Sequence, residues 1–252
     1  MMVLRAAPEE QQLDLPPGYT LVPLREYGDA FAHGCRIAAE TGAGTLVWVR
    51  RYDLVEFAVV LEPDEPLKSA RRGFFAGMNA IADAIAAHCP PERQVGFVWP
   101  DTIMFDGGLL GGGRLGWPEN CREDDVPEWL VFGVILRAAD MANVEEAVAA
   151  GSVALLREGF EMVETEAIVG SFARHLMTAF DSWNERGFDP IARDYLARLS
   201  EEKKSGERRG IDINGDLLIK PDATARPLRT SFVDSLAKVA WYDPEYRAPK
   251  LV

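Results

Sequence analysis

The segment Val95–Trp117, VGFVWPDTIMFDGGLLGGGRLGW, decides how the rest of the chain is interpreted. Its apolar runs are bounded by residues that break or tighten the backbone. The pattern predicts a strand, a Trp-Pro-Asp turn, a short strand, a glycine-dense turn and a final strand. Glycines lack a Cβ atom, so a cluster of them lets the main chain approach a ligand closely. The segment therefore has the composition of a binding site, and a bulged hairpin in a twisted sheet is the structural alternative.

The overall composition predicts a soluble globular protein of the cytoplasm. The chain has 252 residues, 48% hydrophobic and 27% charged, which is enough for one sizeable core and a small second unit. A formal net charge of -13 argues against general binding to nucleic acid or to an anionic membrane surface. Three widely spaced cysteines argue against a disulfide scaffold. Cysteines and histidines lack metal-ligand spacing, so no protein-bound transition metal is expected.

Segments with helical apolar spacing and segments with strand-like apolar runs predict helices packed on a sheet. Helical spacing is found over Glu26–Glu40, Ser69–His88 and Glu166–Arg186, and Pro190 is placed to start another helix. Gly187 is placed to cap the third of these helices. Strands are predicted at Thr45–Val49, Val55–Glu62 and Trp129–Leu136. Two or more helices over at least five strands form an α+β layer arrangement.

Four segments define the predicted domain organisation. Residues 1–19 are predicted to be a flexible N-terminus because they are acidic, contain prolines and lack a long apolar run. Residues 20–200 form the main domain. Residues 201–209 form a linker without apolar side chains. Residues 210–252 form a small C-terminal domain, in which Asn214-Gly215 predicts a hairpin with a type I′ turn and Ser231–Tyr242 is a candidate short helix.

Several common enzyme classes lack their motif in this chain. There is no G-x-S-x-G elbow, no P-loop G-x4-G-K-[ST] and no strand-linked G-x-G-x-x-G. The Trp-Pro-Asp turn invites comparison with the tyrosine phosphatases, with Cys89 and Arg93 as the phosphate cradle. Three residues separate Cys89 from Arg93 where such a cradle needs five, and two of the three are prolines without an amide hydrogen. These readings are therefore excluded.

Four short segments follow one another in a characteristic order. They are Gly42-Ala43-Gly44 before a strand, Val98–Ile103 with its Trp-Pro-Asp, Gly108–Gly112, and the apolar run Val131–Val134. In order and spacing they resemble the glycine-arginine loop, the Lys-Trp-Pro-Asn-Asp segment, the Lys-x-x-Gly-Ile-Leu segment and the buried strand of the biotin and lipoate protein ligase family. The resemblance covers roughly residues 20 to 220, although each motif is short.

This resemblance implies both a fold and a reaction. The fold is the class II synthetase-like catalytic fold of that family, with a mixed β-sheet flanked by helices and a small C-terminal β-containing domain. The reaction activates an acyl group such as biotin or lipoate with ATP and Mg²⁺. The resulting acyl-adenylate then passes its acyl group to a lysine of an acceptor protein domain. Such chemistry needs cations and amides around a phosphate whose charge grows in the transition state.

The resemblance also selects candidate site residues. Asp101 and Arg114 are the catalytic candidates. Asp101 is either a Mg²⁺ contact or a turn residue that accepts hydrogen bonds, and Arg114 is either a phosphate contact or a solvated arginine. No residue is predicted as a ligand of a resident metal. The ligand-binding candidates are Gly42, Gly44, Thr45, Trp48, Arg50, Trp99, Pro100, Gly108, Gly111, Gly112, Gly113 and Gly133. For Trp48 and Trp99 a place in the core is the alternative.

The chain departs from the family pattern at its charged positions. Val98 and Gly108 stand where the family has lysines, and the arginines of the first glycine loop are absent. Each lost cation weakens the binding of a buried carboxylate or phosphate by roughly a few kcal/mol. Two hypotheses therefore remain. The first is a divergent enzyme that forms an acyl-adenylate. The second is a non-catalytic member of the family that binds a ligand or serves in regulation or dimerisation. In that case the protein could form a homodimer.

Overall fold

A computed structural model describes residues 13–140, 151–160, 165–200, 204–222 and 224–251. Its central element is a seven-stranded sheet in the order β1-β2-β3-β7-β6-β5-β4. The strands are β1 (Thr20–Leu24), β2 (Thr45–Val49), β3 (Leu54–Leu61), β4 (Val95–Val98), β5 (Thr102–Phe105), β6 (Gly108–Gly116) and β7 (Leu130–Arg137). Strands β1 and β2 pair in parallel and the other neighbours pair antiparallel. The predicted α+β class with a mixed sheet is confirmed.

Helices cover both faces of this sheet. They are α1 (Ala30–Thr41), α2 (Leu67–Ala70), α3 (Gly73–His88), α4 (Thr165–Arg186), α5 (Asp189–Ala197) and α6 (Phe232–Leu236), with a 3-10 turn at Leu155–Glu158. The larger core lies between the sheet and α3, α4 and α5. Helix α1 packs on the opposite face. No helix within the described ranges is both long and apolar enough to cross a membrane.

The periodic apolar pattern predicted some helix ends correctly and others incorrectly. The predicted helix at Glu26–Glu40 begins later, because Asp29 caps α1 by accepting a hydrogen bond from the amide of Ala32 at 2.8 Å. The predicted helix at Ser69–His88 is divided into α2 and α3. Helix α4 matches its prediction closely. Gly187 ends it with φ 76° and donates its amide hydrogen to the Trp183 carbonyl at 2.8 Å.

The C-terminal part contains a second, smaller sheet. Strands β8 (Arg208–Ile211), β9 (Leu217–Lys220) and β10 (Leu228–Thr230) pair antiparallel in the order β10-β9-β8. The predicted hairpin is present, but its turn is not the two-residue type I′ form. Asp212 accepts amide hydrogens from Asn214 and Asp216 through one carboxylate oxygen, and this arrangement shapes a longer loop. The helix predicted at Ser231–Tyr242 is limited to α6.

Both ends of the described chain pack against the main sheet and its helices. The N-terminal prediction for residues 1–12 lies outside the described residues. Leu13, by contrast, is buried, and the hydroxyl of Tyr19 donates to the carbonyl of Ala173 on α4 at 3.1 Å. Residues 13–19 are therefore anchored where a flexible terminus was predicted. Near the other end, Phe232 is fully buried against Phe74 and Phe75 of α3.

Candidate functional site

The glycine-dense stretch forms a strand and not a turn. The turn between β5 and β6 is made by Asp106 and Gly107, both with positive φ. Gly108 and Gly111–Gly113 lie within β6. The register between β5 and β6 shifts at Ile103 and Met104, so the bulged hairpin, the structural alternative, is confirmed.

Each predicted glycine of this region is closely covered by another part of the chain. A Cβ atom placed on Gly111 would lie 2.0 Å from the carbonyl oxygen of Ile135, and one on Gly113 would lie 2.6 Å from Met78 Sδ. The same atom on Gly108 would lie 2.3 Å from Val153 Cγ1, and on Gly133 it would lie 2.7 Å from Phe31 Cδ2. These glycines permit close internal packing, and their free space is not open to a ligand.

Gly112 is covered by a residue from the distant C-terminal part. A Cβ atom at Gly112 would lie 2.2 Å from Cε2 of Trp241. Trp241 is 1% exposed and packs with Leu109 and Ile135 on the sheet face opposite α3. The indole therefore fills the place that a ligand would need in order to touch Gly112.

Arg114 lies beside this indole, between two aromatic rings. Its guanidinium carbon is 4.2 Å from the ring centroid of Phe31 and 5.2 Å from that of Tyr242. Burial raises the pKa of Tyr242, and the charge of Arg114 opposes that effect. We call Phe31, Gly112, Arg114, Trp241 and Tyr242 the Arg114 site.

The other charged groups around the start of α1 neutralise one another. Glu56, 2% exposed, accepts a hydrogen bond from the amide of Ala30 at 3.0 Å, and burial raises its pKa. Arg51 pairs with Asp53 at 2.7 Å and lies 3.7 Å from Glu56. Arg247 lies 3.6 Å from the carboxylate of Asp29. Arg114, in contrast, forms no ion pair with any residue that the structure describes.

Asp101 is buried beneath the same indole. It is 3% exposed, and burial raises its pKa to about 6 against the lowering effects of the Trp241 indole N–H and the Thr102 hydroxyl. The Thr102 hydroxyl donates to Oδ1 at 3.3 Å. Oδ2 of Asp101 and Nε1 of Trp241 are both fully buried, and the indole N–H faces the carboxyl group whose pKa it lowers.

These surroundings do not fit Mg²⁺ or the triphosphate of ATP. Mg²⁺ needs several oxygen ligands arranged around it, whereas Asp101 faces an indole. Within the described part of the chain, no group of three or more histidine, cysteine, aspartate or glutamate side chains is placed to hold a metal ion. Among the described residues around this site, Arg114 is the one arginine without an ion pair, and a triphosphate requires more than one cation. We therefore derive no catalytic step through Mg²⁺-ATP.

The remaining candidates of the Trp-Pro-Asp turn belong to the core. The ring of Trp99 stacks on Phe75 with centroids 5.7 Å apart and meets Tyr195 edge-on. The Trp99-Pro100 peptide bond is cis, and the carbonyl of Pro100 accepts a hydrogen bond from the Tyr195 hydroxyl at 2.6 Å. The structure therefore favours a packing role for Trp99 over a ligand-binding role.

The first glycine turn lies at the wrong end of α1 to join the Arg114 site. Arg114 contacts Phe31 near the start of this helix, whereas Gly42 and Gly44 follow its end with φ 76° and 79°. Twelve helical residues span about 18 Å. Thr45 is buried and donates its hydroxyl to the Thr41 carbonyl at 3.3 Å. The predicted ligand set is therefore divided.

Two cavities contain other members of the predicted set. A cavity of about 380 Å³ brings Trp48 and Arg50 together with Leu155, Phe160 and Ile168, and the Arg50 guanidinium lies 5.6 Å from the Trp48 ring centroid. A second cavity of about 700 Å³ includes Gly44 in its wall. The first adjoins the larger core, on the sheet face opposite Trp241. The predicted site residues thus lie in at least four separate places, namely the Arg114 site, the core around Trp99 and the two cavities.

Sequence reasoning missed four residues of the Arg114 region. Phe31, Trp241 and Tyr242 had no signal that linked them to Arg114, because they are far from it in sequence. Glu56 did have one. A glutamate in the middle of the apolar run LVEFAVVL is an unusual residue for a buried strand, and a buried carboxylate is normally paired.

Family membership follows from the match of this sequence and agrees with the sheet and helices described above. Residues 15–197 match the biotin/lipoate A/B protein ligase family. The chain belongs to that family. A biotin–[acetyl-CoA-carboxylase] ligase of Paracoccus denitrificans is 26% identical over 192 residues, which cover 70% of this chain and 78% of the relative.

Solved structures of related fold support the same conclusion about architecture. A biotin protein ligase-like protein of unknown function from Silicibacter sp. TM1040 has a TM-score of 0.75 and 24% identity, covering 90% of this chain and 99% of that one. Biotin protein ligase from Aquifex aeolicus, solved with biotin and ATP, has a TM-score of 0.61 and 12% identity, covering 84% and 96%. The expected ligase-type fold is confirmed.

Proposed function

We propose that this protein is a divergent ligase-like member of its family that binds the carboxylate of an apolar acyl ligand, of the biotin or lipoate kind, at the Arg114 site. The observation that carries the proposal is the unpaired guanidinium of Arg114 between Phe31 and Tyr242. An arginine held by two rings and without an ion pair is preorganised for a planar carboxylate. Leu109 and Ile135, which lie beyond Gly112 on the same sheet face under the Trp241 indole, would suit the body of such a ligand once the indole moves away.

The few free positive charges around the site favour binding of an acyl ligand without its adenylation. Val98 and Gly108 occupy the places where the family resemblance calls for lysines, and Arg51 and Arg247 are already paired. One free cation supports a carboxylate better than it supports a phosphate whose charge increases during reaction. The protein would then serve as an acyl-sensing or carrier module.

The second candidate is acyl-adenylate formation followed by transfer to a lysine of an acceptor protein. The relatives favour it, since the Paracoccus protein is a biotin–[acetyl-CoA-carboxylase] ligase and the Aquifex protein was solved with biotin and ATP. For this chain, acyl-adenylate formation requires the binding of ATP with Mg²⁺. Release of pyrophosphate when ATP and the acyl acid are both present would support adenylation over binding alone.

Isothermal titration with biotin, lipoate and octanoate tests the proposal. At least one acid is expected to bind, and Arg114→Gln is expected to weaken that binding about 10- to 100-fold, because a hydrogen bond to a charged group is lost. Arg226→Gln is the matched control, since it removes an exposed arginine outside the site. The proposal fails if none of the three acids binds the unaltered protein or an Arg247→Ala variant, in which the C-terminal segment over the site is loosened. It also fails if Arg114→Gln binds as tightly as the unaltered protein.

A further inference from the structure

We infer that the C-terminal segment Val239–Leu251, which we call the strap, closes the Arg114 site and must move away before an acyl ligand binds. The inference rests on the proposed function and concerns the regulation of that same site. It makes the structure described here the closed state of the protein.

The strap covers both parts of the site at once. Trp241 lies on Gly112 and packs with Leu54, Leu109 and Ile135, so it occupies the apolar surface. Tyr242 places its ring 5.2 Å from the guanidinium carbon of Arg114. A ligand that brings a carboxylate to Arg114 and an apolar body to Gly112 would compete with these two adjacent side chains.

The strap is a discrete hairpin and not an extension of the main sheet. Its strands β11 (Tyr242–Asp243) and β12 (Ala248–Pro249) pair only with each other. Among the described residues, no backbone-to-backbone hydrogen bond joins it to the seven-stranded sheet. It can therefore leave the sheet without breaking a strand ladder.

A few side-chain hydrogen bonds hold the strap in place. Arg247 donates to the carbonyl of Tyr27 at 3.2 Å, next to the start of α1. On the other side, Arg137 donates to the carbonyl of Pro249 at 2.5 Å, and the Ser152 hydroxyl donates to the carbonyl of Lys250 at 3.3 Å. Arg247 belongs to the strap itself and is only partly buried, which makes it the accessible anchor.

The closed position also carries two unfavourable features. The carboxyl group of Asp101 is buried beneath the Trp241 indole, and this burial raises its pKa, because a buried carboxyl group is costly to ionise. Val239, where the strap begins, has φ 33°, a strained conformation for a β-branched residue. Opening would let water reach the carboxyl group and would free the backbone of Val239.

Closure of this kind lowers the apparent affinity for the ligand. When only a fraction of molecules has the site open, the measured dissociation constant is raised by the inverse of that fraction. Weakening the strap must therefore strengthen acyl binding, which is the opposite of what the loss of a ligand-contacting residue would do.

Arg247→Ala in the full chain tests the inference. It removes the anchor to α1 and leaves Arg114, Trp241 and Tyr242 unchanged. We expect at least about tenfold tighter binding of whichever of octanoate, biotin and lipoate binds the unaltered protein. We also expect faster amide hydrogen exchange in residues 240–243 with unchanged exchange in β6. Arg229→Ala is the matched control, because it removes an arginine that is ion-paired within the small sheet, and it should alter neither measurement.

The outcomes separate the two proposals. If Arg247→Ala binds the acid with the affinity of the unaltered protein, or if exchange in residues 240–243 does not increase, the strap does not close the site and the binding function stands. If none of the three acids binds the unaltered protein or the Arg247→Ala variant, the binding function itself is overturned and the closure has no ligand to regulate.

Discussion

The indole of Trp241 lies so close to Gly112 that a Cβ atom on the glycine would be 2.2 Å from Cε2 of the ring. The contact joins β6 to the C-terminal segment across the sheet face that α1 covers only in part. A side chain larger than hydrogen at position 112 and an indole at position 241 therefore exclude each other.

This exclusion predicts strong coupling between the two positions. We expect Gly112→Ala to lower the free energy of unfolding by about 1–3 kcal/mol through overpacking. Trp241→Ala should lower it by about 3–5 kcal/mol, because a large buried ring is removed. In the double variant the new methyl group has room, so the loss should be smaller than the two single losses together. Urea unfolding of the four proteins measures this, and simple additivity would contradict the contact.

The buried carboxyl group of Asp101 predicts a pH-dependent stability. Burial raises its pKa to about 6, whereas an unfolded aspartate has a pKa of about 3.9. The folded protein therefore holds a proton that the unfolded chain releases. The resulting stabilisation is present below about pH 4 and is lost as the pH rises through about 6.

Asp101→Asn removes this titration with little change of shape. The free energy of unfolding of the unaltered protein, measured relative to the variant, should decrease by about 2 kcal/mol between about pH 4 and pH 7. Chemical unfolding at several pH values provides the measurement. A constant difference across this range would show that Asp101 is ionised in the folded protein throughout.

The end of α4 offers a test of backbone conformation alone. Gly187 has φ 76° and nothing within 4 Å of an added Cβ atom, so Gly187→Ala introduces backbone strain without a clash. The expected loss is about 1–2 kcal/mol. Gly210 also has open space around it but lacks positive φ, and Gly210→Ala should be close to neutral. Equal thermal shifts in the two variants would argue against the left-handed cap.

The hydrogen bond that supports the Trp-Pro-Asp turn gives a further prediction. The Tyr195 hydroxyl is buried and donates to the carbonyl of Pro100 at 2.6 Å. Tyr195→Phe should lower the free energy of unfolding by about 1–3 kcal/mol, since it leaves a buried acceptor without its donor. Tyr246→Phe, at a residue 71% exposed, is the control and should have no measurable effect in the same denaturant titration.

The sequence was a good guide wherever one local pattern determined the structure. Val169, Phe172 and Leu176 repeat at helical spacing and form the buried stripe of α4, and Gly187 ends that helix as predicted. Strands β2, β3 and β7 were recognised because their apolar runs are continuous and bounded by turn residues. The domain boundary at residues 201–209 stays a prediction, and residues 201–203 lie outside the described part of the chain.

The candidate site was harder to predict because its residues come from distant parts of the sequence. The glycines of β6 show that space is left where Cβ atoms would be. The sequence does not show which side chain fills that space. For Gly112 that side chain is Trp241, and for Gly113 it is Met78. Likewise, Gly42 and Gly44 were predicted to bind the same ligand as the glycines of β6, although the length of α1 separates them from the Arg114 site. Only the three-dimensional arrangement distinguishes a pocket wall from a tightly packed strand.

The position of Trp241 in the core also has a consequence for synthesis of the chain on the ribosome. Strands β3, β6 and β7 leave the exit tunnel long before Trp241 does, and until then Leu54, Leu109 and Ile135 lack the indole that covers them. An unfinished chain therefore presents an apolar surface to solvent or to a chaperone. Stalled translation upstream of the strap would leave a protein with its sheet assembled and one face prone to aggregation.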